Sequence, residues 1–436
     1  MGNRRLSRTD TAPAQTPESG LGRYPWIVAG TLAVVYTFNF LDRQFLSVLA
    51  EPVRHDLHLS DTQLGLLTGL MFALFYTGFG IPVAALADRA NRVRIIAVAY
   101  ALWSLFTAAC GMATGFGTLA MARIGMGIGE AGGSPPSYTL ISDYFPPERR
   151  GIGLAIYSLG VPMGTLFGAM SGGFIAAAFG WRAAFIGLGA AGLLLAPLVL
   201  LVVREPPRGR YDSAEARAEP ADPLAALIAF SKRPELLFTA VSAGLTAFLG
   251  YALLNWSPAF LMREKGMTLR EVAVWYALVS GLSAAFGSWA SGMLVDRLGK
   301  ARPSAYALVP GVAVLISLPF VLAFIFAPTW PLALACLVVP AIMNIAYLAP
   351  CLAVVQNAMP PAQRGVAGAF LLFVLNLIGL GGGPVFVGMM SDHFKPQYGV
   401  HALKAALVSV SPFFVLAFLC QMAAAVYMER HARKAV

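Results

Sequence analysis

The sequence has 436 residues, of which 58% are apolar and only 12% are charged. Because soluble domains carry about 25% charged residues, this composition excludes a soluble globular protein and indicates a chain that lies mostly in lipid. The formal net charge of +10 does not point to nucleic acid, since Lys and Arg accumulate in the cytoplasmic loops of membrane proteins. We therefore expect membrane lipids around the chain and no nucleic-acid partner.

Sequence motifs for catalysis, cofactors and metal ions are missing. The four cysteines share no metal-ligand spacing, and the five histidines lie near loops and chain ends without zinc spacing. The sequence contains no Walker A motif and no G-x-S-x-G motif. It thus predicts a protein without cofactor, metal or enzymatic activity, and it excludes ATP-driven work by this chain alone.

Hydropathy predicts twelve membrane-spanning helices, which we number spans 1 to 12. They cover residues 25–48, 63–86, 94–114, 117–141, 151–179, 182–203, 235–262, 269–295, 303–327, 329–357, 365–391 and 402–428. Each is long enough to cross the hydrocarbon core at about 1.5 Å per residue. Most connections are short, so neighbouring spans run antiparallel. The predicted fold class is an all-α integral membrane protein.

The connections divide the chain into five parts. Residues 25–203 and 235–428 each hold six spans, and residues 204–234 form a charged, proline-bearing linker between them. Residues 1–24 and 429–436 are polar tails, and the first has no apolar core, which argues against a cleaved signal peptide. Lys and Arg residues are concentrated in the tails, the linker and the connections on the same side, which places both termini in the cytoplasm.

Short motifs recur in the two halves of the chain. Asp88-Arg89-Ala90-Asn91-Arg92 follows span 2, and Asp296-Arg297-Leu298-Gly299-Lys300 follows span 8. Similarly, Pro146-Pro147-Glu148-Arg149-Arg150-Gly151 precedes span 5, and Pro360-Pro361-Ala362-Gln363-Arg364-Gly365 precedes span 11. These matched pairs predict a duplicated unit, and hence two pseudo-symmetric six-helix bundles.

The motifs resemble those of the major facilitator superfamily. The stretch from Gly292 to Lys300 matches the family pattern G-x-L-x-D-R-x-G-R/K, whereas the first copy departs from it at Ala84 and Asn91. The resemblance implies a transporter whose two bundles enclose a cavity that opens alternately to either side. It also implies a cytoplasmic gate whose acids and basic residues pair across the halves when that side closes. The predicted gate residues are Asp88, Arg89, Arg92, Arg149, Asp296, Arg297 and Lys300. Alternatively, these charges only cap helices and follow the usual distribution of loop charges.

Within this superfamily the sequence most resembles the Spinster-type lipid transporters and their bacterial relatives. The residues that carry this resemblance are Asn39-Phe40-Leu41-Asp42-Arg43, Ser60-Asp61-Thr62-Gln63-Leu64-Gly65, Gly127-Ile128-Gly129-Glu130-Ala131 and Ser142-Asp143-Tyr144-Phe145-Pro146-Pro147. The resemblance implies an amphiphilic substrate, such as a lysophospholipid or sphingosine-1-phosphate. It also implies proton coupling through acids in spans 1 and 4, and a place in the plasma membrane, here the bacterial inner membrane.

Four charged residues lie deep in the predicted spans: Asp42 and Arg43 in span 1, and Arg123 and Glu130 in span 4. Each costs about 2.5–3.5 kcal/mol near the membrane centre. A buried carboxylate near an arginine gains and loses a proton as the hydration of its pocket changes, so Asp42 and Glu130 are candidates for proton coupling. Arg43, Arg123 and Asn39 are candidates for binding an anionic group of the substrate. Alternatively, these residues form static ion pairs that hold spans 1 and 4 together.

The C-terminal half lacks deep charges and offers uncharged polar and aromatic side chains instead. The candidates for substrate contact there are Tyr251, Asn255, Trp256, Asn344 and Tyr347; alternatively, they join helices to one another. The sequence thus predicts a monomeric, proton-coupled secondary transporter for an amphiphilic lipid. Two alternatives stay open, namely the same fold carrying a hydrophilic organic anion or a drug, and a lipid scramblase or sensor that does not use protons.

Overall fold

The computed structural model describes residues 22–211, 222–299, 304–360 and 363–434, and these residues are almost wholly helical. Most of the first tail, the middle of the linker and Lys300 lie outside the described residues. The linker residues that are described include a short helix, Pro223–Ser231, whose start is capped by the Asp222 side chain.

The helices follow the predicted spans in order. In the N-terminal half they are Arg23–Val48 (span 1), Asp61–Thr68 with Leu70–Ala87 (span 2), Arg92–Gly111 (span 3), Phe116–Glu130 with Ser134–Tyr144 (span 4), Pro147–Ser158 with Gly160–Phe179 (span 5) and Trp181–Val202 (span 6). In the C-terminal half they are Pro234–Lys265 (span 7), Leu269–Glu271, Val272–Tyr276 and Ala277–Gly299 (span 8), Ala305–Phe326 (span 9), Trp330–Met343 with Leu348–Ala358 (span 10), Arg364–Leu375, Asn376–Gly382 and Gly383–Tyr398 (span 11), and Ala402–Val408 with Ser411–Lys434 (span 12). A short helix, Ala50–Leu57, joins spans 1 and 2, and one turn, Gly399–His401, precedes span 12.

Length and apolar character support a membrane protein. In the described ranges, 10 helical stretches are long and apolar enough to cross a membrane. The last of them, Arg364–Arg430, has 67 residues and contains both span 11 and span 12. Span 4, which is interrupted after Glu130, is not among the 10. The helices are therefore consistent with the twelve predicted passes, and the all-α fold class is confirmed.

Glycines determine how the spans pack inside the N-terminal half. Gly160, Gly164, Gly168 and Gly172 lie on one ridge of span 5, and a Cβ on any of them would meet span 1. This ridge lets the two backbones approach closely, as small residues do at helix interfaces in membranes. Spans 3 and 6 make the other extensive pair of this half, and spans 7 and 12 pack together in the C-terminal half.

The two ends of the bundle differ. The start of span 3 and the end of span 6 meet through an ion pair between Arg92 and Glu205, and Ser304 bonds Glu429 in the other half. We call the end that holds these residues the terminal face, and the other end the opposite face. The halves contact each other mainly through spans 2 and 11, 5 and 8, and 1 and 7.

These contacts lie toward the opposite face. A Cβ on Gly65 would lie 2.5 Å from the carbonyl oxygen of Pro384 in span 11. Further along span 2, toward the terminal face, Gly78 and Gly80 have nothing within 4 Å of a built Cβ. Among the described residues, the contacts between the halves are therefore concentrated toward the opposite face, which is closed.

Candidate functional site

The buried charges of spans 1 and 4 meet in the middle of the bundle. Arg43 Nε donates to Glu130 Oε1 at 2.7 Å, and a second guanidinium nitrogen contacts the same oxygen. The Glu130 side chain is 1% exposed, whereas that of Arg43 is 14% exposed. The ion pair thus joins spans 1 and 4 and leaves Arg43 the more accessible partner.

Aromatic rings surround the Arg43 guanidinium. Its central carbon lies 5.0 Å from the Phe40 ring centroid, 4.9 Å from Phe72 and 5.1 Å from Tyr76. Such distances allow cation–π attraction. From the other half, Tyr251 lies close enough to interact electrostatically with Arg43. Arg43 therefore sits where the charged wall of one half faces an aromatic side chain of the other.

Asn39 lies one helical turn before Arg43 and is buried. Its side chain is within hydrogen-bonding reach of Glu130. Its side-chain oxygen has no hydrogen-bond partner among the described residues. Asn39 thus supports the Glu130 carboxylate and keeps one acceptor unused.

Asp42 points away from this pair and toward span 3. It is 2% exposed, and one carboxyl oxygen contacts the Thr107 hydroxyl. The Thr107 hydroxyl also lies 2.9 Å from the carbonyl oxygen of Trp103, which can only accept a hydrogen bond. The Thr107 hydroxyl has a single hydrogen for these two oxygens: an ionised Asp42 accepts it, whereas a protonated Asp42 donates to Thr107 and leaves that hydrogen to Trp103.

Arg123 is the second buried cation and occupies a different environment. Its Nε donates to the carbonyl oxygen of Leu67 at 3.0 Å, and another nitrogen lies 3.6 Å from the Met126 sulfur. Its guanidinium also lies 5.2 Å from the Phe72 ring centroid. Within the described ranges no carboxylate forms an ion pair with Arg123, although it is only 2% exposed.

The candidates in the C-terminal half have different surroundings. Asn255 accepts a hydrogen bond from Ser47 at 2.8 Å, which links spans 1 and 7, and Trp256 donates to the Pro384 carbonyl at 2.9 Å. In this conformation both residues join helices, and substrate contact by them stays a prediction. Both are almost fully buried, at 8% and 2% exposure.

Three other candidates lie closer to the middle of the bundle. Tyr251 is half-buried beside Tyr76, and Tyr347 interacts electrostatically with it. The Asn344 side chain lies against span 7, and with its oxygen toward Gly250 it accepts from that N–H at 3.0 Å and donates to the Thr246 carbonyl at 3.2 Å. Of these three residues, Tyr251 is the one that interacts with Arg43, and substrate contact by all three stays a prediction.

Of the predicted cytoplasmic gate residues whose side chains the structure describes, none pairs with the other half. Asp88, Arg89 and Arg149 are exposed on the terminal face. Arg92 instead pairs inside its own half, with Asp143 at 2.6 Å and Glu205 at 2.6 Å. Asp296 and Arg297 lie in the helix Ala277–Gly299, but their side chains, like Lys300, fall outside what the structure describes.

The opposite face carries an ionic cluster that the sequence analysis missed. Its members are Glu51, Asp61, Arg263, Ser391 and Asp392, and we call it the opposite-face cluster. Arg263 from span 7 donates to both oxygens of Asp61, at 2.7 and 2.8 Å, and to Glu51 at 2.5 Å. Ser391 from span 11 donates to Asp61 at 2.6 Å.

Asp392 completes this cluster by capping span 2. Its carboxylate accepts from the backbone N–H groups of Asp61 and Thr62, at 3.2 and 2.8 Å. A carboxylate at a helix N-terminus is stabilised by the exposed N–H groups and by the helix dipole. The signal for this cluster was the capping motif Ser60-Asp61-Thr62-Gln63, which the structure shows as a capping box between Ser60 and Gln63.

Comparison with known proteins agrees with this architecture. Residues 32–384 match the family model of the Major Facilitator Superfamily. The chain belongs to this superfamily. It is 36% identical over 411 residues to an MFS-type efflux pump of Mycolicibacterium smegmatis, covering 94% of each chain. It is also 25% identical over 396 residues to a sphingosine-1-phosphate transporter of Danio rerio, covering 86% of this chain and 78% of that protein.

A solved structure shows the same fold. It is the crystal structure of a bacterial homologue of the human lysosomal transporter Spinster, in an inward-facing and unoccupied conformation. The match has a TM-score of 0.85 and 32% sequence identity, and it covers 94% of this chain and 99% of the other. The predicted resemblance to Spinster-type proteins is confirmed. As a superfamily member, the chain is a multi-pass membrane transporter. Within the described ranges, no group of three or more His, Cys, Asp and Glu side chains is placed to hold a metal ion.

Proposed function

We propose that this chain is a proton-coupled secondary transporter of an amphiphilic lipid, which works by alternating access. The observation that carries the proposal is the arrangement of Asp42 and Arg43. Asp42 is buried in contact with Thr107 of span 3. Arg43 is partly accessible in the cavity and is paired with Glu130. A proton site and a substrate site thus lie on adjacent residues of one helix.

The conformation fits one state of such a cycle. By the distribution of Lys and Arg, the terminal face is cytoplasmic, so the structure corresponds to the inward-facing state. The inward-facing conformation of the bacterial Spinster homologue supports this assignment. In this state Asp42 holds its proton through Thr107, and the cavity is open for substrate exchange on the cytoplasmic side.

Proton binding and substrate binding are linked at the ion pair of Arg43 and Glu130. While Glu130 is ionised, its carboxylate is paired with the Arg43 guanidinium. An anionic head group of the substrate then competes with Glu130 for Arg43. Protonation of Glu130 releases Arg43 for that head group. The half-buried rings of Tyr76 and Tyr251 lie near Arg43, and they suit the apolar part of an amphiphile. A lysophospholipid or sphingosine-1-phosphate has both parts, and the similarity to a sphingosine-1-phosphate transporter supports this class.

A hydrophilic organic anion or a drug is the second candidate substrate. It is favoured by the 36% identity to an efflux pump, which exceeds the identity to the lipid transporter. Arg43 would bind an anionic drug by the same chemistry. The two candidates differ in whether an acyl chain is needed for binding.

The test is uptake by the purified protein in liposomes, with and without an imposed pH gradient. Labelled lysophospholipid, sphingosine-1-phosphate and a small organic anion are compared, with Asp42→Asn and Glu130→Gln as variants. We expect lipid uptake that rises with the pH gradient and loses this dependence in both variants. Uptake of the anion alone contradicts the lipid substrate. Lipid movement that ignores the gradient in wild type and in Asp42→Asn indicates a scramblase.

A further inference from the structure

Span 2 is interrupted where the halves touch. The helix Asp61–Thr68 ends at Gly69, whose backbone angles (φ −112°, ψ −93°) are not helical, and a second helix starts at Leu70. A Cβ on Gly69 would lie 2.9 Å from the carbonyl oxygens of Leu380 and Gly381 in span 11. The interruption therefore coincides with the close contact that seals the opposite face.

Arg123 donates into this interruption. Its Nε bonds the carbonyl oxygen of Leu67, two residues before Gly69. The cation is buried, and none of the described carboxylates pairs with it. A buried guanidinium with a backbone carbonyl and a thioether as partners is poorly compensated, so a nearby carboxylate will attract it.

Two carboxyl groups are near enough to do so. Asp42 and Glu130 both interact electrostatically with Arg123. Glu130 is already bound to Arg43, whereas one oxygen of Asp42 has no hydrogen-bond partner among the described residues. The charged and titratable groups that face Asp42 are Arg123 and Glu130 from span 4, Tyr100 and Cys110 from span 3, and Arg43 from its own helix. Arg123 is the cation among them that no carboxylate holds.

We propose that Arg123 is a positioning residue that transmits the protonation state of Asp42 to the interruption in span 2. With Asp42 protonated, Arg123 stays on the Leu67 carbonyl and span 2 keeps the bend that fits span 11. With Asp42 ionised, the carboxylate draws Arg123 from Leu67, and the segment Asp61–Thr68 is released from the opposite-face contact. This inference rests on the proposed proton coupling at Asp42 and adds how the proton changes the conformation.

The experiment measures the distance across the opposite face as a function of pH. Spin labels are placed at His55→Cys and Gln397→Cys, two exposed positions in different halves, in a background without the half-buried Cys336 and Cys420. The protein is studied in liposomes between pH 5.5 and 8.5, about three decades of proton concentration around neutrality. For wild type we expect a short distance at low pH and a growing long-distance population at high pH.

Two substitutions at Arg123 separate charge from shape. Arg123→Gln keeps a donor for Leu67 but has no charge, so we expect a distance distribution that no longer depends on pH. Arg123→Lys keeps the charge, and we expect it to retain the pH dependence. Arg182→Gln serves as the matched control, because Arg182 belongs to the same half and pairs with the exposed Asp56. It should behave as wild type.

The outcomes distinguish this inference from the proposed function. If Asp42→Asn abolishes the pH dependence but Arg123→Gln keeps it, Arg123 does not transmit the signal and the inference is wrong. If Arg123→Gln and Arg123→Lys lose the pH dependence equally, Arg123 acts only by packing, which also overturns the inference. If Asp42→Asn retains the full pH dependence of wild type, the proposed proton site itself fails.

Discussion

At the scale of single residues, the neighbours Asp42 and Arg43 have separate tasks because adjacent helical side chains point about 100° apart. Arg43 faces the cavity and Glu130, whereas Asp42 faces Thr107 in span 3. The sequence predicted the four buried charges. It did not predict Thr107, since a threonine in an apolar helix usually bonds its own backbone.

In the proposed cycle, the Thr107 hydroxyl sets how firmly Asp42 holds its proton. In Thr107→Val the protonated carboxyl loses its acceptor, so the inward-facing state binds the proton less well. One hydrogen bond is worth about 0.5–1.5 kcal/mol, and the midpoint of the pH profile of uptake should fall by about 0.4–1 unit.

The measurement is uptake in liposomes across a series of pH values, with Thr118→Val as control because the Thr118 hydroxyl is exposed. A midpoint that rises instead would show that Thr107 donates to an ionised Asp42. That result would contradict the proton assignment in this state.

Glu130 is expected to couple binding to proton entry without being needed for binding itself. In Glu130→Gln the Arg43 guanidinium loses its carboxylate and becomes available to an anionic head group. We expect the apparent affinity for substrate to be kept or to increase, while accumulation against a gradient disappears. Exchange of labelled for unlabelled substrate, measured in the same liposomes, should continue. Loss of both exchange and accumulation would contradict this role.

At the scale of elements, span 2 and span 11 are shaped for contact near the opposite face. Glycines on span 2 allow the two backbones to touch, and span 11 changes to a π-helical segment, Asn376–Gly382, at the same level. The interruption after Thr68 in span 2 was not predicted, because Gly69 and its neighbours are compatible with a continuous apolar helix.

A methyl group at Gly65 should prevent this contact. In Gly65→Ala the added carbon would lie 2.5 Å from the Pro384 carbonyl oxygen, and backbone cannot yield easily. Overpacking of this kind costs about 1–3 kcal/mol, which disfavours the state closed at the opposite face by roughly 5- to 150-fold. Gly187→Ala is the matched control, since nothing lies within 4 Å of a Cβ there.

The readout is modification of Ser47→Cys by a membrane-impermeant thiol reagent added from the opposite face. Ser47 is 1% exposed and lies between spans 1 and 7 in the closed state. We expect faster modification in Gly65→Ala and no change in Gly187→Ala. Equal modification rates in the two variants would show that the contact between spans 2 and 11 does not close this face.

At the scale of the whole molecule, the ion pairs that join the two bundles among the described residues lie at the opposite face. The sequence correctly predicted the all-α membrane fold and the superfamily, since hydropathy and repeated motifs report fold directly. It placed the gate on the terminal face, where the motif residues Asp88 and Arg89 are exposed in this conformation. The fastening on the opposite face comes from single charges at helix ends, which no repeated motif marks.

The opposite-face cluster stabilises the closed state because its pairs cross the halves. Arg263→Gln leaves the buried Asp61 without its cation and leaves the buried Glu51 with only the longer contact to Arg54, at 3.4 Å, and its neighbour His55. The cluster borders a depression of about 840 Å³. Solvent therefore screens its charges more than those of a buried ion pair and less than those of a surface pair. We expect a cost of about 1–3 kcal/mol to the closed state and faster modification of Ser47→Cys, with Arg182→Gln unchanged. An unchanged rate in Arg263→Gln would contradict the role of the cluster.

The coupling of substrate to protons through Asp42 is tested most directly by proton movement that the substrate itself drives. Liposomes containing the protein and a pH-sensitive dye receive a lysophospholipid or sphingosine-1-phosphate gradient without any imposed pH difference. The account predicts a change of internal pH with wild type and none with Asp42→Asn, which still exchanges labelled substrate. Substrate uptake by wild type with no pH change, or an equal pH change with Asp42→Asn, would contradict it.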